Sequence, residues 1–327
     1  MPAPSILDQG GSFMTDISDL DKDLLERLTG ENPDRQVTRV EGSRWGRLIL
    51  PAPEEVNRRP DEGLRVLCIG SWTLGLLAFE TFLSLEKDRP EGVKLVGLLT
   101  DDPLDVDAKI SLKKRFWRYY EEAEREEYEW GLLHRALSMG IPCYTGEVKI
   151  QAFREILGEW APEAIVVAAF GQVIDETIID FPAYGIYNVH PSDLLRCHGA
   201  GPQPWEDLIE RKASSARVTL HRVSPTIDDG DIVGQSPSIN VRLPDDSISD
   251  DVRMIGEKVL VPVGPMVREL ALALMDKKTT GGKGSLDSLD FERIFGPDFK
   301  SKLMEPLDPV KRGHILPLPY DEEQYTV

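Results

Sequence analysis

Asn188 and His190 stand two positions apart at the end of an apolar run, Gly185-Ile-Tyr-Asn-Val-His190, and a carboxylate, Asp228, follows within Thr226-Ile-Asp-Asp-Gly230. In an extended strand such positions project from one face, so the amide and the imidazole are expected side by side where the strand ends. With a carboxylate nearby they suit group transfer at a carbonyl carbon. The amide donates to an oxygen that gains negative charge, the imidazole donates or shuttles a proton, and the carboxylate sets the imidazole's protonation state. By spacing alone, a structural histidine satisfied within the core fits equally well, and Asp229 competes for the role of the carboxylate. A second segment, Gly70-Ser71-Trp72-Thr73-Leu74-Gly75, follows an apolar run and opens a helical one. Its backbone N–H groups and helix dipole suit an anion; the alternative is a tight turn that needs glycine. It carries neither the dinucleotide fingerprint nor a P-loop. Lys109, Lys113, Lys114, Arg115 and Arg118 interleave with Phe116, Trp117, Tyr119 and Tyr120, a pattern suited to phosphate contacts. Glutamates between Glu121 and Glu129 follow at once, which suits a solvated surface helix instead.

The elements that must position these residues begin at Arg65. Short apolar runs at Arg65–Gly70, Val93–Leu99, Gly140–Tyr144, Glu163–Ala169, Gly185–His190 and Ala216–His221 read as strands, and helical patterns such as Leu74–Leu85 separate several of them. This is the pattern of an α/β, Rossmann-like fold: a mainly parallel sheet with helices on both faces, whose ligands bind at the carboxyl ends of the strands. Three regions are expected: an accessory helix and hairpin over 1–64, a catalytic domain over 65–245, and C-terminal helices with an extended tail over 246–327. In the first region Ile17, Leu20, Leu24, Leu25 and Leu28 recur at helical spacing. Val37, Val40, Trp45, Leu48 and Leu50 flank Glu41-Gly42-Ser43 as in a hairpin. This element is expected to cover a sheet edge or to join two copies as a homodimer. In the last region Ile248–Leu260 and Met266–Met275 read as helices, with Pro262 and Pro265 between them.

Composition bounds the partners. Lys and Arg number 38 against 57 Asp and Glu, a formal charge of −19 over 327 residues, which disfavours a nucleic-acid partner unless a basic patch is segregated from it. No apolar run approaches the ~20 residues that cross a bilayer, and Met1 to Asp16 shows no secretory signal, so no membrane association and a cytoplasmic address are expected. The cysteines Cys68, Cys143 and Cys197 are too few and too scattered for a zinc cluster or a disulfide framework, and no metal is expected.

The run Asn188-Val-His190-Pro-Ser192, then Gly199-Ala-Gly-Pro202 and Trp205, then Ile227-Asp228-Asp-Gly230, resembles the signature of the folate-dependent formyltransferases. The resemblance covers roughly Arg65 to Val241. It implies that Asn188, His190 and Asp228 are catalytic and that the donor is 10-formyltetrahydrofolate. The pterin would be held by Phe170, Gly171, Gln172, Val173 and Ile174 on one side and by the loop containing Val223 and Ile227 on the other. Ser71, Trp72, Thr73 and Ser192 are expected to contact the acceptor. Where the family has Ser-Leu-Leu-Pro, this chain has Ser192-Asp193-Leu194-Leu195, and Cys197 and His198 stand where an aromatic and a basic residue are usual, so the loop after the histidine is expected to differ. Cys197 is read as a small loop filler rather than a nucleophile. The acidic composition favours a small-molecule amine acceptor, such as an amino-sugar nucleotide. The alternatives are a methionyl-tRNA formyltransferase and a 10-formyltetrahydrofolate hydrolase, and from another class a non-catalytic folate-binding scaffold.

Overall fold

A computed structural model describes residues 22, 26–30, 32–56, 59, 62–101, 119–196, 198–199 and 204–308. Of the expected helix over Ile17–Leu28 only residues 22 and 26–28 are described, and they are helical; the basic aromatic stretch 109–118, Cys197 and the chain beyond 308 lie outside the described residues.

The apolar runs form β3 (Leu64–Gly70), β4 (Val93–Leu99), β5 (Cys143–Thr145), β6 (Ala164–Ala168) and β7 (Ile186–His190), which are mutually parallel in the order β5-β4-β3-β6-β7. Each end of this parallel core carries an antiparallel pair. On one side are β1 (Gln36–Arg39) and β2 (Arg47–Leu50), with β2 on β5; on the other are β9 (Thr219–Arg222) and β10 (Ile232–Gln235), with β9 on β7. Among the described residues the sheet thus has nine strands, in the order β1-β2-β5-β4-β3-β6-β7-β9-β10. The single strand expected at Ala216–His221 is divided between β8 (Ser215–Ala216), which pairs with β11 (Ile239–Asn240) in a second small sheet, and β9.

Alternation along the strands divides the core into two layers. Val66 and Cys68 of β3 face one side, where α2 (Trp72–Asp88), α3 (Glu122–Ser138), α7 (Val252–Leu260) and α8 (Val263–Thr279) pack. Leu67 and Ile69 face the other, where α4 (Gln151–Trp160) covers the sheet with Phe153, Ile156, Leu157 and Trp160, an i, i+3, i+4, i+7 stripe. Helices therefore lie on both faces, as the sequence pattern required.

The hairpin around Glu41-Gly42-Ser43 forms and occupies the β5 edge, with Ile49 fully buried. Pro265 does not interrupt the second C-terminal helix, because α8 begins at Val263 and places the proline in the first turn, where a missing N–H costs little. Among its described residues, the Gly-, Pro- and Asp-rich stretch after 277 contains two short helices that the sequence pattern did not reveal, Phe291–Ile294 and Pro297–Met304. Phe291, Phe299 and Leu303 of these helices, with Phe295 between them, join the larger core layer.

Candidate active site

In the order β5-β4-β3-β6-β7 the direction in which successive strands are added reverses between β3 and β6, and an α/β sheet of this kind opens a crevice at the carboxyl ends of its strands near that switch. The cleft found here lies at the ends of β6 and β7, with a volume of about 260 Å³. Phe170, Val173 and Ile174 after β6 face Val223 and Ile227 after β9 across it, with Asn188, His190, His221 and Asp228 in its lining. Val173 and Ile227 are exposed apolar side chains at the mouth.

Asn188 and His190 share a face of β7, while Tyr187 and Val189 between and beside them enter the core. His221 on β9 sits directly opposite Asn188 in the antiparallel register and so shares that face. Its Nδ1 lies 2.8 Å from the Arg222 carbonyl, which can only accept, so Nδ1 carries the proton and Nε2 presents a lone pair. Burial lowers the His221 pKa, and the neighbouring His190 adds to that shift, against the opposing effects of the Arg222 carbonyl and Asp228. The neutral ring therefore accepts from Asn188 Nδ2 at 3.1 Å. The second N–H of that amide has only a long contact, 3.5 Å, to Asp228 Oδ1. An incoming oxygen could take it at little cost, because hydrogen bonds of that length are weak.

His190 Nε2 is 2.9 Å from the Gly199 carbonyl, which fixes the ring, and its Nδ1 faces Asp228 Oδ1 at 3.7 Å. Asp228 adopts a left-handed backbone, φ 53°, unusual for a residue with a side chain and found where a site constrains the chain. Its carboxylate is close to both imidazoles, 3.9 Å from His221 Nε2. The glycine of the Asp-Asp-Gly motif has a physical cause. A Cβ on Gly230 would fall 1.7 Å from the Arg222 carbonyl oxygen, the same atom that orients His221.

The residues expected at the site divide into two groups. Asn188, His190, Asp228, Phe170, Gly171, Gln172, Val173, Ile174, Val223 and Ile227 all converge on the cleft. Ser71, Trp72, Thr73 and Ser192, expected to touch the acceptor, are buried and do not line it. Trp72 packs against Trp205 and Tyr120 at ring separations of 5.4 and 5.7 Å, and Ser71 Oγ accepts from the Asp101 N–H at 2.9 Å. Ser192 is drawn under the strand end, with its N–H donating to the His190 carbonyl. The Gly70–Gly75 segment is a tight turn. A Cβ on Gly70 would lie 2.7 Å from the Ala168 carbonyl oxygen and 2.8 Å from the Gly75 Cα. After β7, Asp193 accepts from Gln235 Nε2 at 2.9 Å, giving the departing loop an anchor on β10. Two residues at the site escaped the sequence reading. His221 could have been suspected as a histidine on an otherwise apolar strand. Asp101, described below, left no local signal. Among the described residues, no group of three or more His, Cys, Asp and Glu could hold a metal ion, and no helix is long and apolar enough to cross a membrane.

The α/β domain thus gathers an amide, two imidazoles and a carboxylate at its strand ends. Residues 141–263 match the family described as formyl transferase. Similar proteins include the methionyl-tRNA formyltransferase of Syntrophus aciditrophicus (strain SB), 46% identical over 88 residues, which are 27% of this chain and 28% of that one. The methionyl-tRNA formyltransferase of Agathobacter rectalis is 35% identical over 140 residues, 41% of this chain and 43% of that one. The chain thus spans less than half the length of these curated relatives. A phosphoribosylglycinamide formyltransferase structure from Anaplasma phagocytophilum aligns over 66% of this chain and 88% of that one, at 19% identity and a TM-score of 0.47. The matched segment, 141–263, carries Asn188, His190, His221 and Asp228. The resemblance to folate-dependent formyltransferases carried by the Asn-Val-His-Pro-Ser and Asp-Asp-Gly motifs is borne out.

Proposed function

We propose that this protein transfers a formyl group from 10-formyltetrahydrofolate to an amine, and that Asn188, His190 and Asp228 are its catalytic residues. The observation that carries the reading is the convergence of those three side chains, with His221 behind them, at one end of a cleft with apolar walls. The cleft suits the donor, since Phe170, Val173, Ile174, Val223 and Ile227 offer flat apolar surface and the loosely held Asn188 N–H offers a donor beside it. When bound, the folate supplies the formyl group on N10 and recovers a proton there as the tetrahydrofolate product. The amine nitrogen attacks the formyl carbon with its lone pair, and the electrons of the C=O bond move onto oxygen. Asn188 Nδ2 exchanges its long contact to Asp228 for that oxygen, and the His190 ring, whose Nε2–H is held by the Gly199 carbonyl, supplies a second donor through Nδ1 when it carries a proton there as well. Asp228 takes the proton that the attacking nitrogen releases and passes it to the leaving nitrogen as the C=O bond re-forms and the C–N10 bond breaks.

For the acceptor, the names of the relatives support the amino group of methionyl-tRNA over an amino-sugar nucleotide. The formal charge of −19 then requires a segregated basic surface to receive the nucleic acid. Setting the reaction in the cytoplasm belongs to the same proposal and is supported by the free, buried thiols of Cys68 and Cys143. The test is an assay of tetrahydrofolate appearance from 10-formyltetrahydrofolate with methionyl-tRNA, with amino-sugar nucleotides, and without any amine. Formylation of the tRNA amine supports the full reading. Release of formate without an amine identifies a hydrolase instead. Absence of both folate binding and turnover with every acceptor refutes formyl transfer.

A further inference from the structure

Behind the cleft wall formed by Phe170–Gln172 lies a polar cluster that the catalytic residues do not use. Asp101 lies two residues beyond the end of β4 and is 3% exposed. One carboxylate oxygen accepts the Gly171 N–H at 2.6 Å and the other accepts from Gln172 Nε2 at 3.0 Å. Gln172 is a two-ended bridge. Its Nε2 also donates to the Gly146 carbonyl at 2.8 Å, while its Oε1 accepts the Val148 N–H at 3.3 Å. On the far side the Asp101 N–H donates to Ser71 Oγ, which lies 3.2 Å from Thr100 Oγ1. These bonds tie together the ends of β3, β4, β5 and β6. The turn at 146–147 is in turn held by the N-terminal hairpin, through Ser43 Oγ and Glu147 and through the Arg44 N–H, which donates to Glu147 Oε1 at 3.2 Å.

The loop needs such a tie. Ala169 holds a left-handed φ of 58°, and the loop lies outside the regular pairing of β6, which ends at Ala168. Such a conformation costs on its own and persists only where surrounding bonds fix it. A carboxylate accepting a backbone N–H and an amide N–H forms charge-assisted bonds, the stronger kind.

We propose that Asp101 and Gln172 are positioning residues, whose mutual clamp sets the Phe170–Gln172 wall of the cleft and thereby the affinity for the pteridine donor. Neither acts on the reacting atoms. Gln172 is part of the cleft lining, but its amide points to Asp101 and to the 146–148 turn, so its contribution passes through the backbone it holds. The link to the donor rests on the reading in the preceding section; the clamp itself does not.

The experiment measures tetrahydrofolate binding by anaerobic calorimetry, steady-state kinetics, and amide hydrogen exchange over 165–174, in the full chain. Asp101→Ala is expected to weaken tetrahydrofolate binding on the order of tenfold or more and to raise KM for the donor more than it lowers kcat. It should also speed exchange in the loop after Ala168 while β6 stays protected. Gln172→Glu, which sets two carboxylates against each other, should act at least as strongly. The paired change Asp101→Asn with Gln172→Glu exchanges donor and acceptor between the two positions and should recover part of the affinity, a coupling that independent structural damage would not produce. Unchanged affinity and exchange in folded Asp101→Ala overturns the inference. So does strict additivity in the pair, which also decides the matter should Asp101→Ala fail to fold. If the wild-type chain binds no tetrahydrofolate, the formyl-transfer reading fails, and loop exchange in the same variants decides the clamp.

Discussion

Replacing Asn188 with Ala separates catalysis from architecture. The amide makes one firm bond, 3.1 Å to His221, and one long contact, 3.5 Å to Asp228. Truncation leaves the His221 lone pair without that donor beside a cleft that admits solvent, so the stability loss should be about 1 kcal/mol, the ordinary net worth of a hydrogen bond. Removing a donor aimed at developing charge costs more in the barrier, about 2.7 to 4 kcal/mol, which is a fall in kcat of roughly a hundredfold to a thousandfold. Tetrahydrofolate affinity should change little, because Asn188 lies at the reacting end of the cleft while the apolar walls are intact. The assay is the rate of tetrahydrofolate appearance at saturating donor and acceptor, with urea denaturation run on the same preparation. A folded variant whose kcat stays within about tenfold of wild type refutes the assignment of Asn188 as that donor.

Two further outcomes follow from the packing and the charges. Ile49 is fully buried where the N-terminal hairpin meets β5, so Ile49→Ala should cost about 2 to 5 kcal/mol in urea unfolding; a loss below about 1 kcal/mol would mean that the hairpin is not integral to the core. The His221 pKa is lowered chiefly by burial, so the folded protein keeps the ring neutral at a pH where the unfolded chain, with a pKa of about 6.5, takes up a proton. Its contribution to stability is therefore complete above that pH and is lost as the pH falls below it. His221→Gln should flatten the dependence of the urea midpoint on pH between about 5 and 7, and parallel profiles for the two proteins would contradict the account.

The parallel core was legible because fully buried strands are near-continuous apolar runs. Val93–Leu99 is recovered to the residue, and the runs at Arg65–Gly70, Glu163–Ala169 and Gly185–His190 to within one. The pairing of Asn188 with His190 was legible for the same reason, since two positions on one strand always share a face. The C-terminal helices bearing Phe291 and Phe299 were hidden by their shortness among Gly, Pro and Asp, where four to eight residues give too little periodicity to stand out. The acceptor contacts expected at Ser71, Trp72 and Thr73 illustrate the opposite case: their place in the chain suggested a ligand, but an indole has more to gain from Trp205 and Tyr120 than from the cleft.

The sequence by itself determined the strands of the parallel core and which of their positions share a face, because these follow from local apolar runs and alternation. Only the tertiary structure decided that His221 stands opposite Asn188 and presents it a lone pair, and that Asp101 reaches Gly171 and Gln172 from a strand two places away in the sheet. Those pairings depend on strand order and register. Both are fixed when the whole sheet buries its two faces at once, a condition that no single segment carries.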